Sequence, residues 1–314
     1  MVDVVIKHND WSYIKDIPED IDLIYLDPPF YTQKRHTMST DNGDVFFDDI
    51  WNSFDEYIDW LVDVVTTSYD KLSNVGTLYS HNNFTLNAEL ISRLPDRIKK
   101  NYQTTIYWQR SHPHNNIKNS WGNIVDTILV ISKTKSPYFN VQYQELDSTY
   151  KNNSFNNKDE VGHYSLTPIT GEKSRIGHNY EYNGVTPKYG WRRKLEIIKE
   201  FDDNNLIHWG KNKPYKKSYL HESKGRPIQN FWNDIHPITR SEKNKRQYPT
   251  QKPVLLLERI IKSSCPVGGV VVDPFAGSGT TAIASINLDI PKKVYLIDMN
   301  EDAISICNNL RGIV

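Results

Sequence analysis

The residues with most to offer chemically are Asp27-Pro28-Pro29-Phe30. They follow Ile21-Asp22-Leu23-Ile24-Tyr25-Leu26, a β-like run of the kind buried in a parallel sheet. Two prolines cannot continue a strand ladder, because they donate no backbone hydrogen bonds. They also hold the preceding residue, Asp27, in extended conformation. The expected result is a stiff platform at the carboxyl end of a strand, where open α/β sheets place their ligands. It carries a carboxylate, a proline carbonyl and an aromatic face, a set that suits an exocyclic amine on a flat heterocycle. Taken alone, an Asp-Pro-Pro turn is ordinary chain geometry.

A second stretch gives it meaning. Val270-Val271-Val272-Asp273-Pro274-Phe275-Ala276-Gly277-Ser278-Gly279-Thr280-Thr281 reads as strand, glycine turn and helix start. The glycines permit positive φ and let a ligand approach the backbone. Thr280 or Thr281 is expected to cap the helix. Val294-Tyr295-Leu296-Ile297-Asp298 then forms a further strand ending in an acid, the place where Rossmann-like units bind a ribose hydroxyl. No P-loop lysine and no G-x-G-x-x-G is present, so a nucleoside without phosphate fits better than a pyrophosphate, and a nucleotide-dependent oxidoreductase is disfavoured.

The rest of the chain must position these two stretches. Its 314 residues can bury a full core, and 38% hydrophobic with 24% charged residues suits a globular protein. Cys265 and Cys307 are too few for a disulfide framework or a cysteine zinc site, and no metal site is expected. No basic-then-apolar leader and no apolar run of membrane-spanning length is read, so the expected setting is cytoplasmic. Net charge is zero, but its distribution is uneven: residues 1–70 hold 16 acids against 4 Lys/Arg, whereas residues 188–226 hold 11 Lys/Arg against 5 acids. Residues 240–252 add 5 against 1. A neutral chain can hide a phosphate-binding face in this way.

Val4–Asp10 reads as a short strand ending in an acid, with Asp10 also placed to cap the next turn. Tyr31–Ile50 is polar and irregular and is expected to be a mobile loop closing over the site. Ser53 should cap an amphipathic helix running to about Leu72, with Tyr57 and Leu61 in the core. Gly76–Ser80 is the next strand, with the polar end His81-Asn82-Asn83 at the same edge as Asp27, and residues 104–108 and 127–131 an antiparallel pair. Between that pair, His112, His114, Asn115 and Asn116 are candidate pocket residues or simple loop polarity. From about Pro137 to Pro237 periodicity fades and Asn, Lys, Tyr, Trp and Gly dominate. Aromatics interleaved with cations can pack on sugars and contact phosphates, which marks Trp191, Arg192, Arg193, Lys213, Lys216, Lys217 and Arg226 as candidate DNA contacts, although Arg192, Arg193 and Arg226 could instead pair with acids inside this region. Pro253 opens a helix that leads back to Val270, and Asn300 could cap a last helix from Glu301.

Three motifs in this order resemble the S-adenosylmethionine-dependent DNA amino-methyltransferases. Asp27-Pro28-Pro29-Phe30 is similar to their catalytic motif, the loop from Asp273 to Thr281 to their cofactor motif, and Tyr248-Pro249-Thr250-Gln251-Lys252-Pro253 to the stretch that precedes that loop. Catalytic motif first, recognition region next and cofactor motif last is the β-group order. The resemblance implies an α/β fold: Rossmann-like, with a mostly parallel sheet, permuted motif order and an inserted DNA-recognition region. It divides the chain into residues 1–136, the catalytic half, 137–237, the recognition insertion, and 238–314, the cofactor half.

The resemblance also implies roles. Asp27, Pro28, Pro29 and Phe30 would receive the target amine. Asp10 would contact the cofactor's adenine, although Asn9 replaces the glycine the family often carries there. Asp273 would lie near the methionine amino group, Asp298 would hold the ribose, and Phe275, Ala276, Gly277, Ser278, Gly279, Thr280, Thr250 and Lys252 would complete the S-adenosyl-L-methionine site. The expected partner is double-stranded DNA, and the resemblance admits a homodimer and a cognate restriction endonuclease. Adenine N6 is preferred as the target, because cytosine-N4 enzymes more often carry serine at the first catalytic position. The alternatives are cytosine N4, RNA or another planar amine, and a catalytically silent DNA-binding protein of the same fold. Intact Asp27, Phe30 and glycine loop speak against the last.

Overall fold

A computed structural model of the chain describes residues 1–40, 43–113, 118–210, 213–238 and 251–309. The contacts divide it into two units, Met1–Gln142 with Ile228–Val314, and Tyr143–Pro227.

The larger unit is built on an eight-stranded sheet. Its strands are β1 (Asp3–His8), β2 (Ile21–Leu26), β5 (Leu72–Asn82), β6 (Tyr102–Gln109), β7 (Val125–Ser132), β8 (Phe231–Trp232), β9 (Val270–Asp273) and β10 (Lys293–Asp298), in the spatial order β1-β10-β9-β2-β5-β7-β6-β8. Only β7 runs against the others. Two further strands, β3 (Lys34–Thr40) and β4 (Gly43–Asp49), form a separate antiparallel hairpin. The stretch expected to be an irregular loop is therefore largely paired.

Strand residues alternate between two apolar layers, as a period of two requires. Leu23, Tyr25, Val271 and Leu296 face one layer, under Leu256, Leu257, Ile260 and Ile261 of helix α2 (Val254–Ser264) and Ala282 and Ala284 of helix α3 (Thr280–Leu288). Ile24, Leu26, Val272 and Ile297 face the other, under Tyr57, Ile58, Leu61, Val64 and Val65 of helix α1 (Phe54–Asp70). The spacing of the α1 set is that of one helical face, and the Ser53 side chain caps it by accepting from Glu56 N. A last helix, α4 (Glu301–Asn309), starts where Asn300 accepts from the backbone N–H of Asp302 and Ala303.

β2 and β9 are neighbours although they lie at opposite ends of the sequence. Asp22 stitches their starts, accepting from Val270 N at 3.0 Å and Ser73 Oγ at 2.7 Å. From β2 the chain winds through α1 to β5; from β9 it winds through α3 to β10. The winding changes side between them, so their carboxyl ends flank the crevice of the sheet.

The smaller unit holds a four-stranded antiparallel sheet, ordered Ile207–Trp209, Pro214–Tyr219, His163–Pro168 and Asn157–Lys158, and a helix at Leu195–Asp203. Ile169, Trp191, Ile198 and Ile207 form its core. It is narrower than the 137–237 stretch marked by composition: residues 137–142 and 228–237 fall in the larger unit, where Trp232 pairs with Trp108 across β8 and β6.

Candidate active site

The carboxyl ends of β1, β2, β9 and β10 open into one cavity of about 800 Å³. The catalytic turn forms one wall. Asp27 leaves β2 at this edge, and Pro28, Pro29 and Phe30 follow it along the lining. Tyr57, buried on α1, donates its hydroxyl to the Pro29 carbonyl at 2.6 Å. Burial raises the Tyr57 hydroxyl far above its ordinary pKa, so it stays a donor. Asp49, buried at the end of β4, accepts from Phe30 N at 3.1 Å, Thr32 N at 2.7 Å and Thr32 Oγ1 at 2.8 Å, while its other oxygen accepts from Trp51 Nε1 at 3.0 Å. A carboxylate bonded to several N–H and O–H groups is a strong anchor. It holds a turn in which Tyr31 and Gln33 take positive φ, 56° and 54°.

Lys252 stands differently from expectation. Its ammonium is bound to both oxygens of Asp27, at 2.6 and 2.5 Å, and lies 5.2 Å from the centre of the Phe30 ring. Read as a cofactor residue, it instead meets the catalytic turn in this structure. The physical reason is charge: with both side chains largely buried, an unpaired carboxylate there would be costly. Its backbone keeps a link to the glycine loop, accepting from Thr280 Oγ1 at 3.4 Å.

The glycine loop forms the opposite wall. Gly277 and Gly279 take positive φ, 49° and 72°, which side-chain-bearing residues rarely adopt. The helix therefore starts from Gly279 in the left-handed region, and neither Thr280 nor Thr281 caps it with a side chain. Thr281 instead donates to Asp273 Oδ2 at 2.5 Å, and Phe275 N donates to Asp273 Oδ1 at 3.1 Å. Burial, with the charges of Asp27 and Asp298 nearby, pushes the Asp273 carboxyl up to about 7. Asp298 accepts from Gly277 N at 2.8 Å and Asn300 N at 2.9 Å, and burial raises its carboxyl as well. Asp298 thus shapes the loop while keeping lone pairs for a ligand.

Asp10, Asp27 to Phe30, Lys252, Asp273, Phe275, Ala276, Gly277, Ser278, Thr280 and Asp298 all line the cavity. Gly279 sets the helix start behind it. Asp10 both caps its turn, accepting from Ser12 N at 2.7 Å, and faces the cavity; that bond holds its carboxyl below the usual range. Thr250 lies outside the described residues, as do His114, Asn115 and Asn116. Sequence reasoning missed Asp49, Trp51 and Trp60, which also line the cavity. Trp60 follows Tyr57 by one helical turn and packs edge-on to Phe275 at 5.9 Å, so helical periodicity carried the signal. For Asp49 no local signal existed. Among the described residues, no group of three His, Cys, Asp or Glu is placed to hold a metal ion, and no helix is long and apolar enough to cross a membrane.

One candidate DNA contact needs correction, and several others have partners inside the unit. Trp191 is fully buried, stacked on Tyr180 at 5.6 Å with its indole N–H on the Tyr180 carbonyl. A small unit needs its large aromatics for its own core, which removes Trp191 from the surface. Arg192 donates to the Thr170 carbonyl and to Glu172, both within the unit. Arg226 lies 3.8 Å from Asp147 and stacks on Tyr150. Lys217 pairs with Asp159 at 2.7 Å, and Lys216 lies over the Phe201 ring. Arg193 and Lys213 are exposed.

The sequence pattern of a family described as DNA methylase matches residues 21–309. The type II methyltransferase M.EcaI of Enterobacter cloacae is 27% identical over 84% of this chain and 59% of its own length. The Mod subunit of the type III restriction-modification enzyme StyLTI of Salmonella typhimurium is 29% identical over 60% of this chain and 31% of its own. The chain thus spans less than two thirds of either relative. The DNA adenine methyltransferase YhdJ of Escherichia coli is 27% identical over 87% of this chain and 71% of its own length. Among solved structures, the cytosine-N4-specific PvuII DNA methyltransferase matches 98% of this chain and 86% of that chain with a TM-score of 0.50 at 15% identity, a likeness of fold.

Proposed function

Because the chain belongs to the DNA methylase family, we propose that it transfers a methyl group from S-adenosylmethionine to the N6 amine of an adenine flipped out of duplex DNA. The observation that carries this reading is that the Asp27–Phe30 turn, the glycine loop after Asp273 and the Asp298 carboxylate all open into one cavity. Its volume suits a nucleoside-sized ligand beside a base. All five residues line the cavity, and their chemistry suits the cofactor: we assign Asp273 to its ammonium, Asp298 to ribose hydroxyls, and Asp10, Trp60 and Phe275 to its adenine. When bound, the cofactor supplies an activated methyl carbon on sulfur.

The protein's own part is to hold and polarise the amine. An adenine amine is a weak nucleophile, because its lone pair is delocalised into the ring. Asp27 accepts one N–H. We assign the other N–H to the Pro28 carbonyl, the Pro29 carbonyl already accepting from Tyr57. These bonds localise the lone pair and fix the line of attack, which is where most of the rate gain arises. As the N–C bond forms, the methyl's bond to sulfur would break and the sulfur would leave with the electron pair as a neutral thioether; positive charge passes to the amine, and the Asp27 carboxylate stabilises it. The surplus N–H proton then leaves to that carboxylate and on to water. Phe30 stacks on the extruded base, worth about 1–3 kcal/mol by analogy with base–aromatic contacts. That offsets part of an unstacking cost on the order of a few kcal/mol. Lys252 holds Asp27 and shares the carboxylate with the arriving amine.

The name of the adenine-methylating relative supports N6 over cytosine N4, and the type III Mod relative supports reading the protein as one half of a restriction–modification pair. The test is methyl transfer from labelled S-adenosylmethionine to mixed-sequence duplex DNA, with Asp27→Ala alongside. N6-methyladenine with the unaltered protein alone is the expected result. N4-methylcytosine would overturn the choice of base, and equal activity in Asp27→Ala would overturn the mechanism.

A further inference from the structure

One buried titratable group beneath the catalytic turn has no part in this mechanism. His81, near the end of β5, is fully buried. Its ring centre lies 5.4 Å from that of Phe30, 5.8 Å from Trp108 and 6.2 Å from Tyr25. Nδ1 is 2.8 Å from the Tyr25 hydroxyl oxygen and 4.0 Å from Asp27 Oδ1. Nε2 is 3.3 Å from Asp126 Oδ2.

Burial alone would raise the Asp126 carboxyl, but its hydrogen bond with His81 and the nearby Arg110 and Lys252 charges bring it below its ordinary value. Burial, with the charges of Asp27, Asp273 and Asp126, raises the Tyr25 hydroxyl well above its ordinary pKa, so it keeps its proton beside Nδ1. The second oxygen of Asp126 accepts from Arg110 Nε at 2.8 Å. A chain of polar contacts therefore runs from partly exposed Arg110 through Asp126 and His81 to Tyr25, directly under Asp27 and Phe30. A phenylalanine would fill the same space but leave Asp126 Oδ2 and the Tyr25 hydroxyl without this partner. Packing alone does not account for the network.

We propose that His81, oriented by Asp126, is a positioning residue for methyl transfer: packed against the Phe30 ring and 4.0 Å from the Asp27 carboxylate, it backs the turn in the attitude that receives the target amine. Asp126 acts through His81 by setting the plane of the imidazole. The inference rests on the function proposed above and assigns to that reaction a buried dyad outside its catalytic motif.

The test compares His81→Phe, which keeps a ring but loses both hydrogen bonds, with His81→Gln, which keeps an amide able to donate to Asp126, and with Asp126→Asn. His81→Phe is expected to lower kcat about 100-fold, the scale of a small misplacement of reacting groups. The KM for DNA and the Kd for S-adenosylmethionine should change by less than about threefold, because the lost contacts bind neither. His81→Gln should recover much of the rate. Asp126→Asn should lose rate with the same kcat signature, and the double variant with His81→Phe should be no slower than His81→Phe alone. A wild-type kcat in His81→Phe, or losses that multiply in the double variant, would overturn the proposal. An inactive wild-type protein would instead overturn the function it rests on. A crystal structure of Asp126→Asn decides independently of activity: Asp27, Phe30 and the His81 ring superposing on the wild-type positions would also reject the proposal.

Discussion

Lys252 and Asp27 are 225 positions apart in the chain, yet the lysine ammonium sits on both carboxylate oxygens, 2.6 and 2.5 Å away. The catalytic turn and the stretch leading to the glycine loop thereby meet through one ion pair. Breaking such a pair leaves a carboxylate without its partner in a largely dry site. Lys252→Met is expected to reduce kcat about 10–100-fold with a smaller change in the KM for DNA, as loss of an interaction that acts in the transition state does. Steady-state methylation kinetics check it; a change confined to the cofactor's KM would return Lys252 to a purely cofactor-binding role.

Asp273 makes stability and cofactor affinity depend on pH in opposite senses. Its carboxyl sits at about 7 in the folded protein against an ordinary 3.8. Between those values the unfolded chain has released the proton and the folded one retains it, so stability falls as pH rises through that window and then levels off. Binding an ammonium needs the ionised form, so S-adenosylmethionine affinity should rise as pH passes about 7. Asp273→Asn should flatten both trends. Thermal melts without cofactor and calorimetric titrations with it, at several pH values, read the two slopes.

Asp49 anchors the backbone of the catalytic turn through Phe30 N and Thr32 N. Asp49→Ala leaves buried donors without partners, at about 1–3 kcal/mol each for those that stay dry. Chemical denaturation should show the loss, and kcat should fall with it. Asp49→Asn, which keeps one acceptor oxygen, should lie between. A fully active, fully stable Asp49→Ala would show that the prolines alone hold the turn.

The smaller unit separates core from surface sharply. Trp191→Ala should destabilise it by about 3–5 kcal/mol, the usual range for emptying a buried aromatic site. Arg193→Ala and Lys213→Ala should leave stability unchanged. Each should weaken DNA binding similarly on all sequences and reduce the salt slope by about one, the signature of a lost phosphate contact. Filter-binding isotherms at several salt concentrations distinguish this from base-specific recognition.

The two motif walls of the site were legible because their chemistry is local. A strand ending in Asp-Pro-Pro, and a strand followed by Gly-Ser-Gly, each dictate a turn from their own residues. Asp49, Tyr57 and the His81–Asp126 contact were not legible, because each depends on groups brought together from distant positions. Trp191 misled for a different reason: a Gly-Trp-Arg-Arg run has the composition of a nucleic-acid surface, and composition does not say which way an indole points.

The adjacency of β2 and β9 also bears on how the chain is made. β2 ends at Leu26, but the strand that covers its flank begins at Val270. During synthesis the ribosome must reach Val270 and beyond before that hydrophobic edge can close, and pairings of such long sequence separation form slowly. An uncovered apolar strand is a template for other chains. The protein therefore spends its synthesis in its most aggregation-prone form, and its yield in cells should depend on chaperone capacity and growth temperature more than its final stability suggests.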